Sequence, residues 1–515
     1  MRDVTELRKE VLRLIKRNRL ILLVMGAYVL LYLLTRLYNL TELPIFTDEA
    51  IYIRWSQIAK GDANWRFISL TDGKQPSYVW VAMILMRFFD DPLFAGRLVS
   101  VMAGFATLIG LFFLGREVFR KVWVGVVSSA LYLIYPMALV YDRMALYDSL
   151  VGMFTVWSLY LTVLLARRVR FDVALLLGMT IGGAVLTKSN GFFTMYLLPL
   201  SLLLFDWRKQ KRIVRLLTWM FFVLVAAVLG NAFYAILRLS PFFHIIGEKN
   251  ALFVFPYNEW LEHPTRFLFG NLFGEVDWLV NYMTLPFVLL IPAAFFLDKK
   301  FLREKILLFL WFFLPFFALA LFGKVLYPRF IFFMTLSLIP LIAYSAVKIY
   351  TIWKNKTIFA LAAVAFCSVA LLSDYLIITD FGRSIIPSSD KNQYYNDWPA
   401  GGGVNEAVAF FAEKAKTRRI FVGTQGTFGL MPTALEIYLG ENKNITLQGY
   451  WPVENTPPEE LLEKAKKIPT YILFYQPCTE CPTIGEAPQT WPVKEVARYK
   501  KGNGNSSLRI YQVMQ

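Results

Sequence analysis

Two carboxylates stand side by side in Thr47-Asp48-Glu49, directly after the first long apolar stretch of a chain that otherwise keeps charge away from its hydrophobic segments. A carboxylate in such a loop can take a proton from a hydroxyl, and an acidic neighbour can raise its basicity by like-charge repulsion. The same residues also suit the first turn of a helix beginning near Ala50, where acids complement the helix dipole. Basic residues recur at comparable positions, at the ends of apolar stretches: Lys74, Arg143, Lys188 and Arg329. An arginine fork engages two phosphate oxygens and lysine offers a compact charge, so the set fits a phosphate-bearing substrate. Asp48, Glu49 and Asp148 are thus the candidate catalytic acids, and the four basic residues the candidate phosphate holders. Asp48 and Asp148 are also compatible with a divalent cation, which needs further oxygen ligands. For each residue a plainer role competes: Lys74 can snorkel at an interface, and Arg143 can simply pair with Asp142.

The elements that position these residues follow from composition. Of 515 residues, 57% are hydrophobic and 18% charged, which excludes an ordinary soluble enzyme and reads as an α-helical multi-pass membrane protein. A net charge of +17 raises the question of nucleic acid. Its placement answers otherwise: Lys and Arg cluster in short runs between apolar stretches, as cytoplasmic loops do, so a lipid bilayer and no nucleic acid is the expected partner. About eleven stretches reach the roughly twenty residues that a crossing helix needs. The run from Arg2 to Arg19 puts the N-terminus inside and sends a helix from about Leu20 to Tyr38 outward, as an anchor with no cleavage site after it. Runs at Arg116–Lys121, Arg167–Arg170, Arg208–Arg215, Lys299–Lys305 and Lys348–Lys356 fall inside if Pro76 to Phe89, short for a span, lies along the outer interface. With that choice Asp48, Glu49, Lys74, Arg143, Asp148, Lys188 and Arg329 gather on one side, the outer one.

Residues 1–375 form the membrane domain and 376–515 an extracytoplasmic α/β domain. In the latter, Gly401-Gly402-Gly403 reads as a flexible junction, followed by helices near Val404–Lys416, Leu430–Leu439 and Pro458–Lys466 and strands near Arg419–Gly423, Ile445–Gly449, Tyr471–Tyr475 and Leu508–Val513. Cys478 and Cys481 suit a short-loop disulfide in an oxidising compartment, and Cys367 a small buried hydrophobe. The aromatic-rich loop from Tyr234 to Asp277 is a candidate lid.

Taken in order, Thr47-Asp48-Glu49, Gly73-Lys74-Gln75-Pro76, Arg97, Gly115-Arg116-Glu117-Val118-Phe119, Arg143 to Asp148, Leu186-Thr187-Lys188 and Tyr327-Pro328-Arg329-Phe330 resemble the motifs of the dolichyl-phosphate-mannose protein mannosyltransferase superfamily, which includes the lipid A aminoarabinose transferases. The resemblance covers most of Leu20 to Ile349, and the outer tail is similar in placement to that of the aminoarabinose transferases. Gln75 stands where the family often has the first of two prolines. The resemblance implies a GT-C fold and an inverting glycosyltransferase that moves a sugar from a polyprenyl-monophosphate donor to a hydroxyl of a protein or lipid acceptor on the outer face of the plasma (inner) membrane. Mannosyl transfer to protein or to a cell-envelope lipid is the leading expectation. A transporter or flippase of a lipid-linked or anionic substrate is the alternative, although its usual midplane charges and inverted repeats are not evident in the sequence.

Overall fold

The computed structural model describes residues 18–514. The basic run from Arg2 to Arg17, from which the orientation of the N-terminus is expected, lies outside the described residues. The principal helices of the membrane part are α1 (Arg19–Leu37), α2 (Thr47–Gly61), α3 (Ser77–Leu85), α4 (Pro92–Phe119), α5 (Val122–Leu133), α6 (Pro136–Asp142), α7 (Asp148–Arg168), α8 (Phe171–Thr187), α9 (Arg212–Ala235), α10 (Ile245–Phe253), α11 (Leu268–Met283), α12 (Leu285–Phe296), α13 (Leu302–Phe322), α14 (Ile339–Ile352) and α15 (Lys356–Thr379).

Six helices among the described residues are long and apolar enough to cross a bilayer, and nine segments are if each bent pair counts as one span. The expectation of about eleven is met only when the shorter apolar helices Phe171–Thr187 and Ser189–Leu204 are added. Breaks fall where the sequence supplies them. Pro136 follows the 63° bend between α5 and α6, and Leu285-Pro286 opens α12 after the 101° bend from α11. Helix α4, whose span is 61% buried, and α7, 78% buried, pack at the centre, whereas α1 leaves Leu20, Leu23, Leu30 and Leu34 exposed. Such one-sided apolar exposure suits acyl chains as the outer solvent. Helix α3 has nine residues, about half a crossing length, in keeping with the expectation that Pro76 to Phe89 does not span.

The C-terminal part contains α16 (Val404–Ala415), α17 (Thr433–Leu439), α18 (Glu459–Ala465) and strands β1 (Ile420–Gln425), β2 (Ile445–Tyr450), β3 (Thr470–Phe474), β4 (Val493–Lys500) and β5 (Ser507–Val513). They form one sheet in the order β2-β1-β3-β5-β4. The pairs β1–β2 and β1–β3 are parallel, and β5 runs antiparallel to both β3 and β4. Central β1 and β3 are buried along their whole length, as parallel strands covered on both faces are. Strand β4 is absent from the expected set: it lies at the edge, and its sequence VKEVARYK is mostly exposed and polar. Cys478 and Cys481 are joined by a disulfide, and Cys367 is half-buried in α15.

Two expectations about the junction need correction. The boundary at residue 375 falls inside α15, which continues to Thr379. The segment that follows is no free linker. Tyr141 and Tyr282 of the membrane part both donate to Asp390 Oδ2 at 2.5 Å, and Asp390 and Tyr394 are fully buried. Gly401 is not flexible either, because a Cβ there would come within 1.9 Å of the Ile45 carbonyl oxygen, so glycine serves close backbone packing.

Candidate active site

The adjacent acids at the start of α2 face opposite ways. Glu49 is fully buried and accepts four hydrogen bonds: from Phe46 N at 2.9 Å, Ala145 N at 2.6 Å, and Arg97 Nε and Nη2 at 2.8 and 2.7 Å. Arg97 also donates to the Leu40 and Leu43 carbonyls, so this pair ties the first connecting segment, α4 and the loop before α7 into one piece. A carboxylate with both oxygens engaged this way has no room to serve a substrate, and Glu49 holds α2 in place instead of sharing the chemistry expected of it.

Asp48 accepts from Arg329 Nη1 at 2.8 Å, and Arg329 lines a cavity of about 430 Å³. Pro328 opens the short 3₁₀ turn that presents Arg329, whose guanidinium lies 5.1 Å from the ring centre of Tyr327, 5.8 Å from Phe46 and 5.9 Å from Phe330. Phe330 serves a second cation, with Lys188 Nζ 4.8 Å from its ring centre. Lys188 ends α8 and donates to Asp148 Oδ1 at 2.7 Å, while Asp148 begins α7. The two ion pairs, Asp48–Arg329 and Asp148–Lys188, therefore flank one aromatic ring.

Lys74 belongs to the same polar lining. It follows Gly73, which has φ +66° and on which a Cβ would lie 2.5 Å from the Cβ of Lys249 on α10. Lys74 Nζ sits 5.3 Å from the Phe253 ring centre, and among the described residues it has no carboxylate within ion-pair distance. Burial pushes its amine down to about 8, with Asp48 pulling the other way. Burial acts to raise the Asp48 carboxyl, but the charges of Arg329, Lys74 and Lys188 outweigh it and hold the group below the ordinary carboxylate range. Lys249 also lines the cavity and pairs with Asp72 at 2.6 Å. Much of the remaining lining is apolar, including Pro315, Leu319 and Phe322 of α13 and the rings of Phe253 and Phe333.

Of the residues expected from sequence, Asp48, Lys74, Asp148, Lys188 and Arg329 meet here. Arg143 does not. Its guanidinium donates to the carbonyls of Thr35, Arg36, Tyr38 and Asn39 at 2.9, 3.2, 2.7 and 2.9 Å, which makes it the cap of α1 instead of a phosphate holder. Nor does Asp142 neutralise it: that carboxylate accepts from Tyr32, Tyr132 and Ser149 and lies 3.7 Å from Arg36 Nε. Gln75, the departure from the family pattern, is nearly fully buried and donates to Ser189 Oγ at 2.8 Å, joining the Lys74 loop to the Lys188 turn. Lys249 does not stand out in the sequence, since it sits in an unremarkable amphipathic stretch of the loop expected to be a lid. Residues 249, 250, 253 and 254 of that loop do border the cavity.

The donor set fits a divalent cation poorly. Asp48 and Asp148 are each bound to a basic side chain, and among the described residues no group of three or more His, Cys, Asp or Glu is arranged to hold a metal.

The family description dolichyl-phosphate-mannose-protein mannosyltransferase matches residues 74–231, under a third of the chain. No curated protein sequence matches. Among solved structures, ArnT from Cupriavidus metallidurans in the apo state is similar over 96% of this chain and 98% of its own, with a TM-score of 0.58 and 15% identity. The same figures hold for its structure bound to undecaprenyl phosphate. The archaeal oligosaccharyltransferase AglB from Archaeoglobus fulgidus is similar at a TM-score of 0.49 and 12% identity, over 88% of this chain and 69% of that one. The chain has the GT-C fold that its sequence motifs resemble, in the form that ArnT takes.

Proposed function

We propose that the chain is an inverting glycosyltransferase that moves a sugar from a polyprenyl-monophosphate donor onto an acceptor hydroxyl at the membrane surface where the sheet domain sits. The observation that carries this reading is a single cavity lined both by the cations Lys74, Lys188, Lys249 and Arg329 and by apolar side chains of α13. That polarity suits a charged phosphate with a hydrocarbon tail. A similar structure, ArnT bound to undecaprenyl phosphate, supports the same donor class.

In this reading the donor phosphodiester, carrying one negative charge, settles beside Lys74, the cation without a carboxylate partner. As the bond between C1 of the sugar and the phosphate oxygen breaks, a second negative charge develops on the leaving phosphate. Lys74, Arg329 and Lys188 stabilise it in a site that the apolar lining keeps dry. The acceptor oxygen attacks C1 from the opposite face, its bond to C1 forming while its proton passes to Asp48. Before the donor binds, Arg329 suppresses the basicity of Asp48. Once the phosphate shares that guanidinium, the carboxylate is released from part of that field and becomes a better base. Asp148 has the separate job of aiming Lys188.

Mannosyl transfer to protein or to a cell-envelope lipid is the leading substrate assignment, with the sheet domain outside the cytoplasm and the N-terminus within it. Incubating the purified protein in detergent with a panel of radiolabelled polyprenyl-monophosphate sugars and candidate acceptors tests it. Labelled product from at least one donor is the expected result. A chain that binds none of the donors and releases no sugar from any would instead favour transport of an anionic substrate.

A further inference from the structure

The helix that carries Asp48 is anchored at two points on either side of that residue. Glu49 is held by Arg97 from within the membrane part. Thr47 is held from elsewhere: its N–H and its hydroxyl both donate to the Pro399 carbonyl, at 3.2 and 2.8 Å. Pro399 belongs to the segment that enters the sheet domain, and the carbonyls on either side of it are held as well. Lys501 Nζ donates to Trp398 O and Ala400 O, each at 2.6 Å.

Lys501 lies in the turn from β4 to β5, where its N–H donates to the Ser506 carbonyl, and its side chain is fully buried. Among the described residues no carboxylate comes within ion-pair distance of its amine. Asp397, the nearby acid, accepts instead from Trp398 N at 2.7 Å and Ser506 Oγ at 3.0 Å. The ring centre of Tyr475 is 5.3 Å away. The amine's strongest partners are therefore two backbone oxygens, and a buried amine is an expensive way to hold them unless their position matters. The segment has no slack to move without consequence. Gly401 is packed so closely on Ile45 that a Cβ would meet its carbonyl at 1.9 Å, and at Gly402 a Cβ would lie 3.2 Å from the Cα of Lys501.

We propose that Lys501 is a positioning residue for Asp48: by fixing the carbonyls of Trp398 and Ala400 it sets the Pro399 oxygen against the first turn of α2, and so makes the sheet domain part of the catalytic geometry. The proposal rests on the reading of Asp48 as the base. Displacement of a reacting group by about 1 Å costs on the order of 100-fold in rate, so a small shift of the Thr47 anchor registers in turnover while leaving the cations that bind the donor in place.

Four proteins in detergent test it: wild type, Lys501→Met, Thr47→Val and the double variant. Turnover, donor KM and amide hydrogen exchange of the peptide spanning residues 45–51 are measured on each. Lys501→Met is expected to lower kcat by about tenfold or more with donor KM unchanged, and to raise exchange in that peptide. Lys501→Arg, which keeps the charge and the donors, recovers part of the loss. Because both residues act through the Pro399 oxygen, the double variant falls short of the product of the two single losses. A wild-type kcat in Lys501→Met, unchanged exchange at residues 45–51, or losses that simply multiply would each overturn the proposal. Should Lys501→Met fail to fold, Thr47→Val decides alone, and a wild-type kcat in it overturns the coupling. Asp48→Asn run alongside separates the two claims. If that variant keeps full turnover, the base assignment falls, while the exchange data still judge the mechanical link.

Discussion

Replacing Glu49 by Gln asks whether two neighbouring acids do different work. The wild-type carboxylate is fully buried, bidentate with Arg97 and the acceptor of two backbone N–H groups. An amide of the same shape leaves the Arg97 guanidinium buried without its counter-charge, and turns one acceptor oxygen into an NH₂ that faces donors. Breaking a buried pair on one side costs about 3–5 kcal/mol, a shift of roughly two to four orders of magnitude in the folding equilibrium. Asp48→Asn also takes the counter-charge from a buried arginine, but Asp48 is a quarter exposed and its amide oxygen still accepts from Arg329, so the loss of stability should be smaller than that of Glu49→Gln. Denaturant or thermal unfolding in detergent, followed by tryptophan fluorescence, compares the two variants. The double variant Glu49→Leu with Arg97→Met, which removes both charges, should recover much of the stability that Glu49→Gln loses. If Glu49→Gln unfolds like the wild type and loses turnover as Asp48→Asn does, this division of labour between the two acids is wrong.

Other outcomes follow from the same geometry. Lys74, brought down to about 8 mainly by burial, is charged below that pH and neutral above it, so kcat/KM for donor should decline as pH rises through about 8, and the decline should vanish in Lys74→Met. Arg143→Met should loosen the end of α1 and lower thermal stability with donor KM unchanged, since its bonds go to the carbonyls there; a raised donor KM at wild-type stability would restore it as a phosphate ligand. Gln75→Ala removes the link between the Lys74 and Lys188 loops and should raise donor KM by several-fold, about what one net hydrogen bond supplies. Turnover should survive EDTA, because Asp48 and Asp148 are neutralised by Arg329 and Lys188; loss of activity restored by Mg²⁺ or Mn²⁺ would contradict that.

Charge at the ends of apolar stretches was legible because the bilayer makes it expensive elsewhere, and this is why Asp48, Lys74, Asp148, Lys188 and Arg329 could be gathered before their geometry was known. The same signal misplaced Glu49 and Arg143, whose side chains satisfy backbone groups deep in the fold. A buried capping arginine and a phosphate-binding arginine look alike in sequence, because what separates them is which carbonyls lie within reach. The parallel strands β1 and β3 announced themselves as apolar runs, whereas edge strand β4 carries no such pattern. Lys501 and the Pro399 junction were invisible for another reason. Their partners are backbone oxygens separated by about a hundred residues or several hundred, and no side-chain pattern marks them.

The most direct measurement is sugar transfer by Asp48→Asn beside wild type, with donor binding followed separately. The asparagine cannot take the proton, so kcat should fall by about 10²–10⁴-fold. Donor should bind at least as tightly, because Arg329 no longer has a carboxylate to share. Undiminished turnover in the variant would contradict Asp48 as the base, and lost donor binding would show that its role is to hold the site together.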